Sequence, residues 1–323
     1  MVMAVQVGTA RGRASGTSPF DLADDETYGR WREWKLAQYP TDSEQLTVSV
    51  AAHGAVSSGD IEAIAAIAAI AAQCRKTNLV FYDLGSAPVD RETIRALGAR
   101  LGLHSLDSNL CADGDGISAL QTMEGGRHAG YIPYSNKPLN WHTDGYYNSP
   151  DQTVRAILMH CVRASRSGGE NAFFDHEILY ILLRDRNPDY VAALMEADAM
   201  TIPANVEHGV QIRPAQAGPV FSVDPATGGL HMRYTARTRN IVWKDDQRTR
   251  EAVALIGELL DADTPYRIRH RLRPGQGVIS NNVLHNRTGF ADGDAAEQRR
   301  LLFRARYFDR VADTGWRSTA TGE

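Results

Sequence analysis

Two textures divide the sequence near Ile117. Before it, apolar residues recur at helical spacing. DDETYGRWREWKLAQYP reads as a short helix ending before Pro40. SGDIEAIAAIAAIAAQCRK offers Ser58 or Asp60 as an N-cap and sets Ile61, Ile64, Ile67 and Ile70 on an alanine background. That is the pattern of a helix burying one stripe. NLVFYDL follows as a strand, and DRETIRALGARLG as a capped helix closed by Gly102. After Ile117 the apolar runs shorten. YIPYS, LNWHTDGYY, TVRAILMHCV, NAFFD, AMTIPA, VQIRP, PVFSVD and LHMRYT read as strands broken by Gly, Pro and Asn turns. Two helical segments interrupt them: HEILYILLRDRNPDYVAALMEA, with a break expected at Asn187–Pro188, and DDQRTREAVALIGELLDAD. YRIRHRL, GVISNNVLH and RRLLFRARYFD then return to strand.

Many short strands with helices to one side and at the start predict a mainly β fold with flanking helices around a double-stranded β-helix, the jelly roll of cupins. A doubly wound sheet would alternate strand and helix regularly, and this chain does not. Residues 20–323 show no linker, no repeat and no second shift of composition, so they read as one domain. Residues 1–19 have no apolar core behind their charges and read as a disordered leader rather than a secretory signal.

Charge narrows the partners. The net charge of −4 is spread along the chain without basic blocks, which argues against a nucleic-acid or membrane-surface partner. No stretch approaches a membrane span. Cys74, Cys111 and Cys161 are odd in number and scattered, as suits buried thiols in a reducing cytoplasm. The expectation is a cytoplasmic protein handling a small molecule; a homo-oligomer is compatible with the same features.

The candidate chemistry starts at PLNWHTDGYYN. In a strand, residues i and i+2 project from one face, so His142 and Asp144 point together while Trp141 and Thr143 pack behind. Alone, such a pair is more often a surface contact or a satisfied core imidazole. The late segment adds to it. GQGVISNNVLHNRTGF carries a strand to His285, and some fifteen residues on QRRLLFRARYF sets Arg300 among apolar neighbours. A buried, unpaired guanidinium costs several kcal/mol, and its planar fork grips a carboxylate through two parallel hydrogen bonds. Two imidazoles and a carboxylate on one face of an octahedron bind non-haem Fe(II) in oxygenases. The reading that unites these residues is a 2-oxoglutarate clamp, with one end of the dicarboxylate chelating the iron and Arg300 holding the other.

Four segments together resemble the taurine dioxygenase-like Fe(II)/2-oxoglutarate-dependent oxygenases, from NLVFYDL to RARYFD. NWHTD matches that family's first metal motif, and SGGENAFFD resembles its Gly-Gly-Asp/Glu-Thr strand entry. PVFSVDPATGGL resembles its Pro-Val…Pro-x-Thr-Gly segment, and LHNRTGF…QRRLLFR has its distal His and Arg-x-x-x-Arg ending. The resemblance implies that His142, Asp144 and His285 ligate Fe(II). It implies that Arg300 holds the distal carboxylate of 2-oxoglutarate and that Arg304 meets an anionic group of the substrate. Asn171 stands where the family has a threonine beside 2-oxoglutarate, a departure that an amide donor can fill. The retained Asp144 argues against the halogenating relatives. With O₂, such a site decarboxylates 2-oxoglutarate to succinate and CO₂ and attacks an unactivated C–H bond.

Other residues are placed around that expectation. Asn140, Tyr146 and His104 are assigned to the substrate side, with Trp141, Tyr146 and Tyr147 as cavity walls or plain core. Arg306 shares strand parity with Arg300 and Arg304 and is expected to pair with an acid such as Asp309. Arg233, Arg237 and Arg239 read as solvated surface, with the alternative, from the resemblance, that one of them helps select an anion at the site entrance. Asn281 and Asn282 either hydrogen-bond the metal shell or cap a strand end. His160 reads as buried and structural, and His128 and His208 have no partner at ligand spacing. The expected function is hydroxylation of a small anionic or zwitterionic metabolite. Desaturation or oxidative cyclisation remains an alternative outcome, and a metal-binding cupin without oxygenase activity the alternative class. Arg300 discriminates the last of these.

Overall fold

The computed structural model describes residues 18–37, 39–50, 61–108, 115–123, 132–207, 209–237 and 241–316. Most of the expected leader, the proposed caps Ser58 and Asp60, and Cys111, His128, His208 and Arg239 lie outside the described residues.

Two facing sheets carry the site. The larger is built from β1 (Thr47–Ser49), β2 (Leu79–Asp83), β3 (Ile117–Leu120), β5 (Ala156–Arg163), β8 (Gln276–Ser280) and β10 (Leu301–Tyr307), in the order β1-β2-β8-β5-β10-β3. The smaller has the order β7-β6-β9-β4, from Arg267–His270, Asn171–Phe174, Leu284–Arg287 and Leu139–His142. Apart from β1 beside β2, all of these pairings are antiparallel. Phe81, Ile157, Met159, Phe173, Val278 and Leu302 meet between the sheets. Their chain neighbours Val80, Tyr82, Leu158, Ile279 and Phe303 face outward. This is period-two alternation, buried on both faces because helices cover the outsides. The arrangement is the expected jelly roll.

Helices α2 (Ile61–Thr77) and α3 (Arg91–Arg100) cover the larger sheet. Helices α1 (Asp25–Ala37), α4 (His176–Arg186), α5 (Pro188–Leu194) and α6 (Gln247–Asp261) cover the smaller one, where Trp141, Ala172, Phe174 and Leu284 pack against them. The expected break falls at Asn187, whose side chain accepts from the Asp189 N–H and caps α5. Pro188 has no N–H to continue the preceding helix. Lys35 of α1 is wholly buried, its Nζ 2.7 Å from Asp175 and 2.5 Å from Glu177 at the start of α4.

Four expectations change. The isoleucine stripe of α2 does not exist as such: Ile70 is buried, but Ile61 and Ile64 are 82% and 53% exposed. Each step of three residues falls about 60° short of a full turn, so Ile61 ends opposite Ile70, and the buried side is Ala63, Ile70, Cys74 and Thr77. YIPYS contributes a 3-10 turn at Ile132–Tyr134, not a strand. LNWHTDGYY is strand only to His142. GVISNNVLH is two strands, β8 and β9, which cross from one sheet to the other at Asn281–Asn282, the latter with φ +52°. AMTIPA, VQIRP, PVFSVD and LHMRYT do form strands, but in small satellite sheets of two or three strands outside the two main sheets.

Candidate active site

β4 and β9 bring the two imidazoles face to face. His285 lies directly opposite His142, yet Arg287 lies opposite Leu139, so two steps on β9 face three on β4. This β-bulge turns both Leu139 and His142 toward the barrel interior and extrudes Asn140. Asn140 is therefore exposed and lines neither cleft, contrary to the substrate-side expectation. Its carbonyl has a different use, accepting from His142 Nδ1 at 2.8 Å. His285 Nδ1 donates in the same way to the Val283 carbonyl at 2.9 Å. A carbonyl only accepts, so each ring carries a proton on Nδ1, which leaves Nε2 as the nitrogen available to a metal.

Asp144 completes the group from the turn after β4, not from the strand as parity suggested. Ligand atoms of His142, Asp144 and His285 all lie within 4.8 Å of one another. Among the described residues this is the cluster of such side chains able to hold a metal ion. Burial pulls the Asp144 carboxyl upward, but Arg304, 3.3 Å away, together with His142 holds it well below the usual carboxylate range. Burial, reinforced by His142, pushes His285 down to about 4, so its imidazole is neutral near pH 7.

A small cleft opens beside the triad, lined by His142, His285, Asn171, Arg300 and Arg304 with apolar walls from Leu120, Met159 and Leu302. Arg300 sits immediately before β10 rather than within it and is buried. Its backbone N–H bonds Asp292, but its guanidinium forms no hydrogen bond or ion pair with the described residues. It rests over the Phe290 ring at 5.0 Å, and burial lowers its pKa. Asn171 is buried in the same cleft and donates to the Asn286 carbonyl at 2.9 Å. Arg304 lies against Asp144, its Nε buried without a partner.

The remaining assignments divide. Arg306 is paired, as expected of it, but with Asp107 and with the Tyr147 hydroxyl at 3.0 Å, inside the protein. Asp309 instead accepts from the backbone N–H groups of His104 and Ser105. His104 is exposed there and lines neither cleft, because that contact turns its segment along the surface. Tyr146 lines a second, larger cleft of about 230 Å³ between the turn after β4 and the hairpin of Phe221–Val223 and Leu230–Met232. Arg233 is not solvated surface: its guanidinium donates to the carbonyls of Tyr146, Met200 and Gln216. Arg237 is exposed. His160 is buried against the Tyr82 hydroxyl at 3.2 Å, away from both clefts.

Sequence reasoning missed Arg287, which lines the small cleft while donating to the carbonyls of Ser135 and Lys137. Its parity with His285 was the available signal. It also missed the Arg155–Asp224 pair and His231 of the larger cleft, for which no local pattern exists.

The description taurine catabolism dioxygenase TauD, TfdA family matches residues 46–306. A uridine-5'-phosphate dioxygenase of Amycolatopsis sp is 30% identical over 187 residues, 56% of this chain and 64% of that protein, so the chain spans just under two thirds of that relative. Among solved structures, an asparagine oxygenase in complex with Fe(II), 2S,3S-3-hydroxyasparagine and succinate superposes with a TM-score of 0.55 at 16% identity, covering 82% of this chain and 94% of that one. The non-heme iron oxygenase OrfP, in complex with Fe and α-ketoglutaric acid, gives 0.54 at 15% identity, covering 81% and 93%. At such identities these structures speak for the fold. The family match over most of the chain says more: the protein belongs to the TauD, TfdA family of 2-oxoglutarate-dependent dioxygenases, whose cofactors are Fe(II), 2-oxoglutarate and O₂.

Proposed function

We propose that residues 20–323 act as one cytoplasmic oxygenase domain that hydroxylates an unactivated C–H bond of a small anionic metabolite. The observation that carries the reading is Arg300, a buried guanidinium without an acid partner among the described residues, in the cleft that also holds the two Nε2 atoms. A metal-binding cupin of another kind has no use for that cation.

In this reading Nε2 of His142 and His285 and the carboxylate of Asp144 hold Fe(II). The donor set fits the ion, with two neutral nitrogens and one anionic oxygen. Bound together, Fe(II), 2-oxoglutarate and O₂ supply the oxidising chemistry that releases succinate and CO₂ and converts C–H to C–OH. The protein's part is orientation. Arg300 and Asn171 anchor the distal carboxylate of the co-substrate, and Leu120, Met159 and Leu302 keep water from its chain. The backbone acceptors of Asn140 and Val283 hold the imidazoles in the required tautomer.

The anionic substrate follows from charge. Once Asp144 serves a divalent ion, Arg304 no longer has that carboxylate to itself, and an anion beside it is favoured. Tyr146 and the larger cleft lie on the other side of Asp144 and supply room. The name of the Amycolatopsis relative carries a phosphate ester, so phosphorylated metabolites are the first class to screen.

The test is anaerobic addition of Fe(II) and then 2-oxoglutarate, watching for the weak visible charge-transfer band of the chelate. It should appear in the wild type, vanish in His285→Ala, and need far more 2-oxoglutarate in Arg300→Ala. Folded, iron-loaded wild type without a band would refute the reading. With the band in hand, succinate release screens the substrates.

A further inference from the structure

Asp144 stands past the end of β4, so no sheet register fixes it. We propose that Asn282 is the positioning residue that sets the Asp144 carboxylate against the two imidazoles, an inference that rests on the oxygenase reading above. The Asn282 amide oxygen accepts from the Asp144 backbone N–H at 2.8 Å. Its amide nitrogen donates to the Asp144 carbonyl at 2.9 Å and to the Val154 carbonyl at 2.7 Å. One side chain thus grips both backbone polar groups of a single residue and ties that residue to the approach of β5.

The backbone of Asn282 makes this reach possible. It has φ +52° and is wholly buried, a left-handed conformation that asparagine tolerates better than most side chains. Gly145, φ +70°, lets the turn press onto Val154, whose Cγ2 lies 2.6 Å from where a Cβ would stand. Asn281 faces the opposite way. Its amide nitrogen donates to Asn78 Oδ1 and Thr314 Oγ1, both at 3.0 Å, and its oxygen accepts from the Val311 N–H at 3.2 Å. The crossing from β8 to β9 is therefore fastened on both sides, three residues before His285. The same short segment sets the positions of Asp144 and His285 relative to each other.

Asn282→Gly keeps the left-handed backbone and removes all three hydrogen bonds. Asn282→Asp keeps the acceptor, removes both donors, and carries the comparison if the glycine variant does not fold. Ile256→Ala, in α6 beyond the smaller sheet, supplies a loss of stability remote from the site. Co(II) is the probe, its affinity read by calorimetry and its ligand geometry by d–d absorption in the full chain. Both Asn282 variants should bind Co(II) about 10–100-fold more weakly, with an altered d–d band, while Ile256→Ala binds as the wild type does at a comparable drop in Tm. Wild-type affinity and spectrum in a folded Asn282 variant would overturn the positioning role alone. Equal weakening by Ile256→Ala would do the same. A wild type that binds no Co(II) would overturn the oxygenase reading and this inference with it.

Discussion

Replacing Arg300 with methionine separates the roles of a structural cation and a ligand anchor, because the two predict opposite signs of stability change. In the ligand-free protein Arg300 is only 5% exposed, its guanidinium rests on the Phe290 face, and Asp292, which accepts from the Arg300 backbone N–H, offsets part of its charge. A cation over an aromatic ring contributes about 0.5–2 kcal/mol, whereas keeping a charge out of water costs several kcal/mol. Methionine keeps much of the side-chain length and removes the charge. Arg300→Met should therefore stabilise the ligand-free protein by about 1–2 kcal/mol, a rise in Tm of about 2–4 °C. Binding should change the other way. A hydrogen-bonded charge pair contributes about 1.5–3 kcal/mol, and a co-substrate carboxylate left against a thioether adds about 1–3 kcal/mol of unrecovered desolvation. At about 1.4 kcal/mol per tenfold, 2-oxoglutarate should bind about 10²- to 10⁴-fold more weakly. Thermal melts with and without Fe(II) and 2-oxoglutarate read both effects. At 100 times its Kd the co-substrate should add about 2.7 kcal/mol to the wild type and almost nothing to the variant at the same concentration. A variant that melts lower without ligand, and still gains the full ligand-induced rise, would refute the argument at both steps.

Other parts of the molecule make further commitments. Lys35→Met leaves Asp175 buried without its cation and Glu177 with only Arg310 at 3.8 Å and should cost about 3–5 kcal/mol in urea unfolding; a loss below 1 kcal/mol would mean that α1 does not depend on this buried pair. Burial holds His160 at about 4 against an ordinary 6.5, so below pH 6.5 the unfolded chain takes up the proton first. Stability is then full above pH 6.5 and falls by about 3 kcal/mol toward pH 4. His160→Gln, which cannot titrate, should flatten that part of the acid profile, and an unchanged profile would show that other groups set it. Gly168→Ala places a Cβ 2.3 Å from the Gly289 carbonyl at φ +68°; it should lower Tm and weaken 2-oxoglutarate binding, since the adjacent Gly169 lies under Arg300 Nε, whereas an unchanged Tm would show that the strand-entry turn yields freely.

Residue type and order singled out the three side chains that the structure clusters. His142, Asp144, His285 and Arg300 carry chemistry that residue type alone announces, and shared parity put Leu302, between Arg300 and Arg304, on the inner face where the structure has it. What local pattern could not show was anything decided by a partner distant in sequence. The bulge at Asn140 follows from register against Arg287, and nothing in NWHTD marks it. The imidazole tautomers depend on backbone carbonyls, which every residue has. The α2 stripe failed for a different reason: a spacing of three matches the helical period over one turn and drifts away from it over three. Lys35 looked like an ordinary helix lysine because its two acids lie at the start of α4.

β10 shows the same division on one element. Arg300, Arg304 and Arg306 share its inward parity, so alternation assigns them one environment. The structure gives them three. Arg306 is neutralised by Asp107, a residue from the segment before β3. Arg304 faces Asp144, whose charge it must share once a divalent ion is present. Arg300 meets neither acid, although it is as buried as the other two. A fold that placed a carboxylate beside Arg300 would gain stability in the ligand-free state and would close the anion site in doing so. On the proposed reading, this charge without an acid ion pair costs the protein alone and favours a dicarboxylate when one arrives. A search for function along this strand is therefore a search for the cation without an acid, which only tertiary structure can identify.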